Sequence, residues 1–359
     1  MRLLQLKAEN FRLIRTLSLH PHGRLNVIFG ANAAGKTSLL EILYVLGRGR
    51  SFRGASPQEW EGPDRPGWLV FGRVEHPLSA LRQSLGLRFA GEQTEIRVDG
   101  RAATSLDLLR TLPVQILEPG MHKMLQEGPV YRRSFLDWGV FHVEPQFLPL
   151  WRRYRRALRQ RNQLLRAGAD DRQIAAWEPE LAEAGEQLDA QRCAHLDAIR
   201  PAVLAGIEVL IGEGEWHFDL YPGWTRTMAL REVLARQRTA DRRLGSTQAG
   251  PHRAELRIRA GGHRAKNRIS RGQQKMLIAA LLLAQCTEIG RRTGRHPVLL
   301  IDDFTAELAE PYQAALLAAI QAYPGQTFIT AFTRTGVLAR ELDAAVFHVE
   351  HGVVTSFAD

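Results

Sequence analysis

The chain carries Gly30-Ala31-Asn32-Ala33-Ala34-Gly35-Lys36-Thr37, which fits the spacing G-x-x-x-x-G-K-[ST]. That spacing is suited to phosphate, because a glycine-bent loop can aim its backbone N–H groups at phosphate oxygens where a helix begins. Lys36 would then reach the β- and γ-phosphates of a nucleotide, and the Thr37 hydroxyl would bind Mg²⁺. Far downstream, Val298-Leu299-Leu300-Ile301-Asp302-Asp303 is an apolar run ending in two acids. A buried parallel strand that emits carboxylates at its C-terminal end is where a metal-supporting aspartate belongs. Asp302 is expected in the metal shell, and Asp303 is expected to polarise an attacking water.

The elements needed to hold these residues are legible around them. Leu25-Asn26-Val27-Ile28-Phe29 reads as a buried strand entering the glycine loop, and residues 37–47 follow with helical periodicity and a terminating glycine. Between 68 and 118 short alternating segments, Trp68–Val74 and Glu95–Val98 among them, predict β-structure, with Asp99-Gly100 as a hairpin turn. Residues 130–240 change character: stretches rich in Arg, Ala, Leu, Gln and Glu predict helices over 146–167 and 172–210, and a weaker one over 227–241. The remainder returns to alternation, with strands at 254–260, 298–302 and 326–331 and helices at 271–290 and 311–322. The fold class is therefore α/β with an inserted helical domain, divided as 1–128, 129–245 and 246–359.

Composition narrows the function classes. The 359 residues are 45% hydrophobic and 24% charged, enough to bury a sizeable core, which excludes a disordered chain. The net charge of +10 rests on arginine, because Lys7, Lys36, Lys123, Lys266 and Lys275 are the only lysines among 48 basic residues. Such an excess suits a polyanionic partner, nucleic acid before an acidic membrane. Cys193 and Cys286 are too few and too far apart for a disulfide framework or a cysteine zinc site. Charges interrupt the first nine residues, so they do not read as a secretory signal, and Met276–Ala284 is half the length of a membrane span. A cytoplasmic protein with no membrane partner is the expectation. There is no H-E-x-x-H and no nucleophile elbow.

A third motif, Ile269-Ser270-Arg271-Gly272-Gln273-Gln274-Lys275, opens the helix before the Asp302 strand. Serine is a good N-cap, and glycine lets a phosphate approach the positive helix end. Set between the phosphate loop and the acid-terminated strand, it resembles the signature motif of ABC-type ATPases. That resemblance implies an ATP site completed in trans by Ser270, Arg271, Gly272 and Gln273 of a second protomer, and hence an ATP-dependent homodimer.

Nearly the whole chain resembles the RecF family of DNA replication and repair ATPases, related to the Rad50 and SMC heads. The likeness runs through Asn10-Phe11-Arg12, Leu46–Arg53, Gly128–Gly139, Arg159-Gln160-Arg161-Asn162 and Gly250–Leu256 as well as the nucleotide motifs. It implies an ABC-type head with Arg12 at the ATP site and Gln115 as the Q-loop residue that senses Mg²⁺. It also implies slow ATP hydrolysis used as a switch, binding of duplex DNA near single-strand gaps, RecO and RecR as partners, promotion of RecA loading, and SOS induction. Three positions depart from the family pattern. Ala33-Ala34 replaces a common Gly-Ser pair, Ala306-Glu307-Leu308-Ala309 replaces Ser-x-Leu-Asp in the D-loop, and no histidine follows the strand at 326–331, leaving Thr330 as the substitute switch.

The segment Trp151–Arg166 holds seven arginines and no acid. Arg152, Arg156 and Arg159 share one helical face, and Arg155, Arg159 and Arg166 form an adjacent stripe. Two readings stand: a solvated face whose stems cover apolar surface, or phosphate contacts by Arg152, Arg153, Arg155, Arg156 and Arg159 along a duplex, with Arg132, Arg133, Arg242 and Arg243 extending the patch. An ABC transporter subunit would share the nucleotide motifs but has no use for an arginine-rich insert. A small-metabolite kinase has no use for a signature helix acting in trans.

Overall fold

The computed structural model of the chain describes all residues other than Leu78, Glu307, Thr335, Arg340, Glu341, Leu342, Ala358 and Asp359. The chain packs as two units. Unit 1 comprises Met1–Met121, Val209–Gly212 and Arg271–Asp359, and unit 2 comprises His122–Glu208 and Glu213–Ser270.

The first part of unit 1 runs β1 (Arg2–Phe11), β2 (Ile14–Leu19), β3 (Leu25–Phe29), α1 (Lys36–Arg48), β4 (Trp68–Glu75), β5 (Arg82–Ala90), β6 (Gln93–Val98), β7 (Arg101–Ala102), α2 (Ser105–Thr111) and β8 (Val114–Leu117). Asp99-Gly100 does turn the β6–β7 hairpin, with Val98 opposite Arg101. Strands β2-β1-β4-β5-β6-β7 form one antiparallel sheet. Helix α1 touches that sheet through β1, β4 and β5, and it also packs on β8 and the parallel sheet described below. It is buried continuously from Ser38 to Arg48 for that reason. Gly47 belongs to this packing, since a Cβ there would lie 2.4 Å from the Val114 side chain.

Unit 2 follows with α3 (Lys123–Gln126), α4 (Pro129–Val143), α5 (Phe147–Arg166), α6 (Asp171–Ala175), α7 (Glu178–Leu210), β9 (Trp216–Tyr221), α8 (Leu230–Leu244), β10 (Glu255–Ala260) and β11 (His263–Arg264). The insert is thus helical as expected but carries a small sheet, β11-β10-β9. That sheet explains why the second unit boundary falls at 270 and not at 245: β10 pairs with β9 along its whole length, from Glu255 opposite Tyr221 to Ala260 opposite Trp216. The first boundary falls seven residues before the expected one, at Met121. Helix α7 tolerates Pro201 in its interior and runs for 33 residues.

The core of unit 2 is tied by polar groups from the family-like strings. Arg161 on α5 is fully buried and donates to Glu178, Asp241 and Thr247. Arg192 on α7 donates to Asp137 and to the Pro251 carbonyl. The His252 Nε2 lies 2.9 Å from the Thr247 carbonyl, which can only accept, so Nδ1 is the nitrogen that accepts from the Tyr154 hydroxyl at 2.5 Å. Both ring nitrogens are used in the neutral form, and burial pushes the imidazole down from 6.5 to about 4.

A histidine held below its unfolded value stabilises the fold fully above pH 6.5, and that contribution is lost as pH falls toward 4. Unit 2 should lose up to about 3 kcal/mol across this window. Urea titrations monitored at pH 7.0 and 4.5 check it, and His252→Phe should flatten the difference. An unchanged difference in the variant would assign the pH dependence to other groups.

Unit 1 closes with α9 (Arg271–Thr293), β12 (Val298–Ile301), α10 (Glu310–Ala322), β13 (Thr327–Ala331), β14 (Ala344–Glu350) and β15 (Val353–Phe357). The second sheet has the order β15-β14-β3-β13-β12-β8, parallel throughout except for β15. No helix among the described residues is long and apolar enough to cross a membrane.

Candidate functional site

Parallel pairing of β3, β13 and β12 brings their C-terminal ends to one edge of the sheet. The glycine loop leaves β3 there, Thr330 lies near the end of β13, and Asp302-Asp303 leave β12. Open α/β sheets bind ligands at this edge. Gly30 is required by contact, because a Cβ would sit 2.2 Å from the Val349 carbonyl oxygen. Ala33 takes φ +62°, a left-handed conformation that the glycine common in the family would adopt freely and that costs an alanine about 1 kcal/mol.

Lys36 folds over the loop, donating to the carbonyls of Gly30 and Ala31 at 2.7 and 2.9 Å. Desolvation draws its ammonium below the ordinary lysine value, opposed by the charges of Asp303 and Asp302. Thr37 Oγ1 donates to the Asp302 carboxylate, 3.1 and 3.2 Å from its two oxygens. Thr330 Oγ1 donates to the same carboxylate at 2.8 Å and accepts from the Asp303 N–H at 2.8 Å. Burial raises the Asp302 carboxyl above the usual aspartate value, and the hydrogen bonds from Thr330 and Thr37 work against that rise. A hydroxyl and a carboxylate, all oxygen, on an anion that burial disfavours are donors suited to a hard divalent cation, so the residues present fit Mg²⁺.

The expected pairing of the Asp302 strand with the phosphate loop is therefore what the chain builds, and the residue singled out to replace the switch histidine bridges them. Three participants were not anticipated. Lys275 on α9 donates to the carbonyls of Asp303 and Ala306 at 3.1 and 2.9 Å, linking the signature helix to the backbone after β12. Phe332, just past β13 and half exposed, places its ring 6.0 Å from the Lys36 ammonium. Glu118 follows β8, whose Leu117 pairs with Ile301, so it lies one residue along from that pair as Asp302 does. An acid or aromatic at the end of a strand could have flagged the last two; nothing in the pattern singles out Lys275 from other helix lysines.

Gln115 is not at this edge. It lies within β8 opposite Leu299, three residues before the level of Asp302, and its Oε1 accepts from buried Arg48 at 3.3 Å. The Mg²⁺-sensing role that the resemblance implies for it does not fit this place, because β8 runs on to Leu117 and keeps Gln115 inside the strand. Arg12 is held by Glu41 of α1 through Nε at 2.5 Å and Nη2 at 2.8 Å. Glu41 is buried and also accepts from Ser51. Of the signature residues, Arg271, Gly272 and Gln273 form the first turn of α9 in unit 1, and Ser270 is the last residue of unit 2. In the D-loop, Glu307 lies outside the described residues, and Ala309 stands at the N-cap of α10 with no side chain to cap it.

On α5, Arg152, Arg155, Arg156 and Arg159 are exposed, as the phosphate reading requires. Arg153 is not available in the same way, because it pairs with Glu180 and Glu183 of α7. Arg132, Arg133 and Arg242 are likewise engaged, by Glu255, the Ala254 carbonyl and Asp171. Acids absent from the local segment arrive from other elements, Glu180 and Glu183 on α7, Asp171 on α6 and Glu255 on β10, which a reading of that segment alone does not show.

A DNA replication and repair protein RecF of Pseudomonas paraeruginosa is 39% identical over 99% of this chain and 98% of its own length. The chain belongs to the RecF family. The RecF/RecN/SMC N terminal domain matches residues 2–355. A RecF of Stenotrophomonas maltophilia is 37% identical over 99% of this chain and all of its own length. Among solved structures, the recombination mediator protein RecF with ATPrS in the RecFOR pathway superimposes with a TM-score of 0.85 at 26% identity, covering 99% of this chain and 98% of that one. An SMC head bound to the C-winged helix domain of ScpA shares the fold at 16% identity and a TM-score of 0.61, covering 99% and 98%. RecF proteins and this chain thus share the ABC-type ATPase head, and the family is one of DNA replication and repair.

Proposed function

We propose that this chain is an ATP-gated DNA-binding protein of replication and recombinational repair. The observation that carries the reading is the Lys36–Thr37–Asp302–Thr330 constellation at one sheet edge, in a chain like RecF along almost its whole length. The amides of residues 30–37 and the Lys36 ammonium would bind ATP phosphates, with Arg12 beside them. Thr37 and Asp302 would hold Mg²⁺, which when bound neutralises charge on the phosphate oxygens. Asp303 would orient water for attack on the γ-phosphate. Ser270, Arg271, Gly272 and Gln273 of a second copy would complete the site, so ATP favours the homodimer and DNA binds the dimer better. Hydrolysis is slow and releases the dimer. RecO and RecR are the partners that the RecFOR relative supports; promotion of RecA loading and SOS induction from the cytoplasm complete the reading.

Duplex binding titrated with ATP and then ADP at two salt concentrations tests it. Tight, salt-sensitive binding with ATP and weak binding with ADP is expected; identical curves would break the coupling. The combined Arg155→Ala and Arg159→Ala variant should weaken binding to all duplex sequences alike. It should also lower the slope of log K against log salt by about 0.9 for each phosphate contact removed. An unchanged slope would leave the α5 face as a solvated surface.

A further inference from the structure

A cavity of about 610 Å³ opens in unit 2 where β10, β11 and the turn at Ala265–Asn267 meet. Its charge is one-sided. Arg257, Arg259, Arg264, Lys266 and Arg268 line it, and the only carboxylate in the lining, Glu255, is already held by Arg132 at 2.6 and 3.1 Å. Among the described residues, Arg257, Arg259, Arg264 and Arg268 have no ion-pair partner. Unpaired arginines also occur on α5, where Arg152, Arg155, Arg156 and Arg159 have no ion pair among the described residues, whereas Arg153, Arg238 and Arg242 find acids. What sets Arg257, Arg259, Arg264 and Arg268 apart is that they line one cavity.

The register sharpens the point. Arg259 stands directly opposite Arg264, a like-charge cross-strand pair that weakens the sheet unless something anionic lies over it. Arg257 and Arg259 share the exposed face of β10, Leu256 and Ile258 are buried on the other face, and Leu125 and Ala265 give the cavity an apolar part. The volume falls within the range of small-ligand sites, about 300–1,000 Å³. Guanidinium forks match phosphate oxygens bidentately. The four guanidinium groups of Arg257, Arg259, Arg264 and Arg268 around so small a space exceed what the one charge per nucleotide of a strand backbone would neutralise there.

We propose that this cavity is a second phosphate site, distinct from the glycine loop, that binds a compact di- or triphosphate group. Two sources carry that chemistry: a free nucleotide, or the 5′-phosphorylated end of a nucleic-acid strand. The experiment uses the full chain with Lys36→Ala, which removes binding at the glycine loop. Calorimetry with ADP and with inorganic tripolyphosphate is run beside anisotropy with a labelled single-stranded dodecamer bearing either a 5′-triphosphate or a 5′-hydroxyl. One saturable, salt-sensitive site is expected for tripolyphosphate. Adding Arg259→Ala and Arg264→Ala should weaken it by about tenfold or more, and adding Arg231→Ala and Arg236→Ala, at exposed positions of α8, should not. ADP binding as tight as tripolyphosphate identifies the free nucleotide as the source; preference for the 5′-triphosphate dodecamer over the hydroxyl form identifies the strand end. Absence of a saturable site, or a site indifferent to Arg259 and Arg264, overturns the proposal. So does equal binding of both dodecamers without binding of ADP. Failure of the glycine-loop reading shows separately, as wild-type nucleotide stoichiometry in the Lys36→Ala protein. Melting curves of the Arg259→Ala, Arg264→Ala protein guard against misfolding and should be unchanged or raised, since a repulsive pair is removed.

Discussion

Asp303→Asn should slow ATP hydrolysis by about 10²–10⁴-fold and leave ATP binding intact. The two acids after β12 divide their work by what already holds them. The Asp302 carboxylate is taken by Thr37 and Thr330, an anchored position suited to a metal shell. The Asp303 carboxylate makes no hydrogen bond or ion pair among the described residues, while its backbone is fixed at both ends, N–H to Thr330 and carbonyl to Lys275. It is thus a positioned but uncommitted acceptor, which is what orienting a water demands. Its φ of +54° is one that asparagine also tolerates, so the exchange removes the charge without forcing the turn to move. Phosphate release under single turnover, with fluorescent-nucleotide titration as the binding control, reads the two effects apart. Hydrolysis at the wild-type rate would place water orientation on another residue, and parallel loss of ATP binding would make Asp303 a binding group.

The nucleotide site was legible because its parts obey local rules. A buried strand, a glycine loop and a helix start are contiguous from Leu25 to Leu46, and the acid pair ends a four-residue apolar strand. Spacing of that kind survives without knowledge of tertiary packing. What escaped notice depends on register and on distant chain. Whether Gln115 reaches the metal edge turns on where β8 stops, a matter of two residues. Lys275 acquires its role because α9 passes beside the backbone after β12, and Phe332 because β13 lies next to β3. The β9–β10 pairing, which moved a unit boundary by 25 residues from the expected 245 to 270, joins strands more than 30 residues apart across α8.

The family-like strings in the insert show the same division between what can be recognised and what can be understood. Arg159-Gln160-Arg161-Asn162 and Gly250–Leu256 mark the family, yet the residue types of the first suggest only surface cations. In the structure Asn162 accepts from Thr247, and Arg161, His252 and Tyr154 complete one internal network around that threonine. Alternation of residues along α5 separates the two jobs: Arg161 turns inward, while Arg152, Arg155, Arg156 and Arg159 stay outside.

Arg161→Met should destabilise unit 2 by about 3–5 kcal/mol at neutral pH, the second large effect expected of this chain. The guanidinium reaches Asp241 at 2.7 Å, Thr247 at 2.8 Å, Glu178 at 3.1 Å and the Leu234 carbonyl at 3.2 Å, with no solvent contact. Losing it does not affect the two acids equally. Glu178 keeps Arg238, 2.7 Å away, whereas Asp241 keeps only a backbone donor, the N–H of Gln248 at 3.0 Å. Burial already raises the Asp241 carboxyl while Arg161 holds it down, so removing the arginine lifts it further. An acid raised in the folded state is penalised most at high pH and relieved as protons neutralise it. The gap between variant and wild type should therefore narrow from pH 7.5 to pH 5.5; the His252 contribution is common to both proteins and cancels. Urea midpoints at the two pH values measure the gap, and hydrogen exchange on α5 and α8 locates it. Arg161→Met with Asp241→Asn should recover much of the loss, because the stranded charge and not the missing contact is the main cost. A gap independent of pH and indifferent to Asp241→Asn would instead assign the loss to packing around the α5 stem.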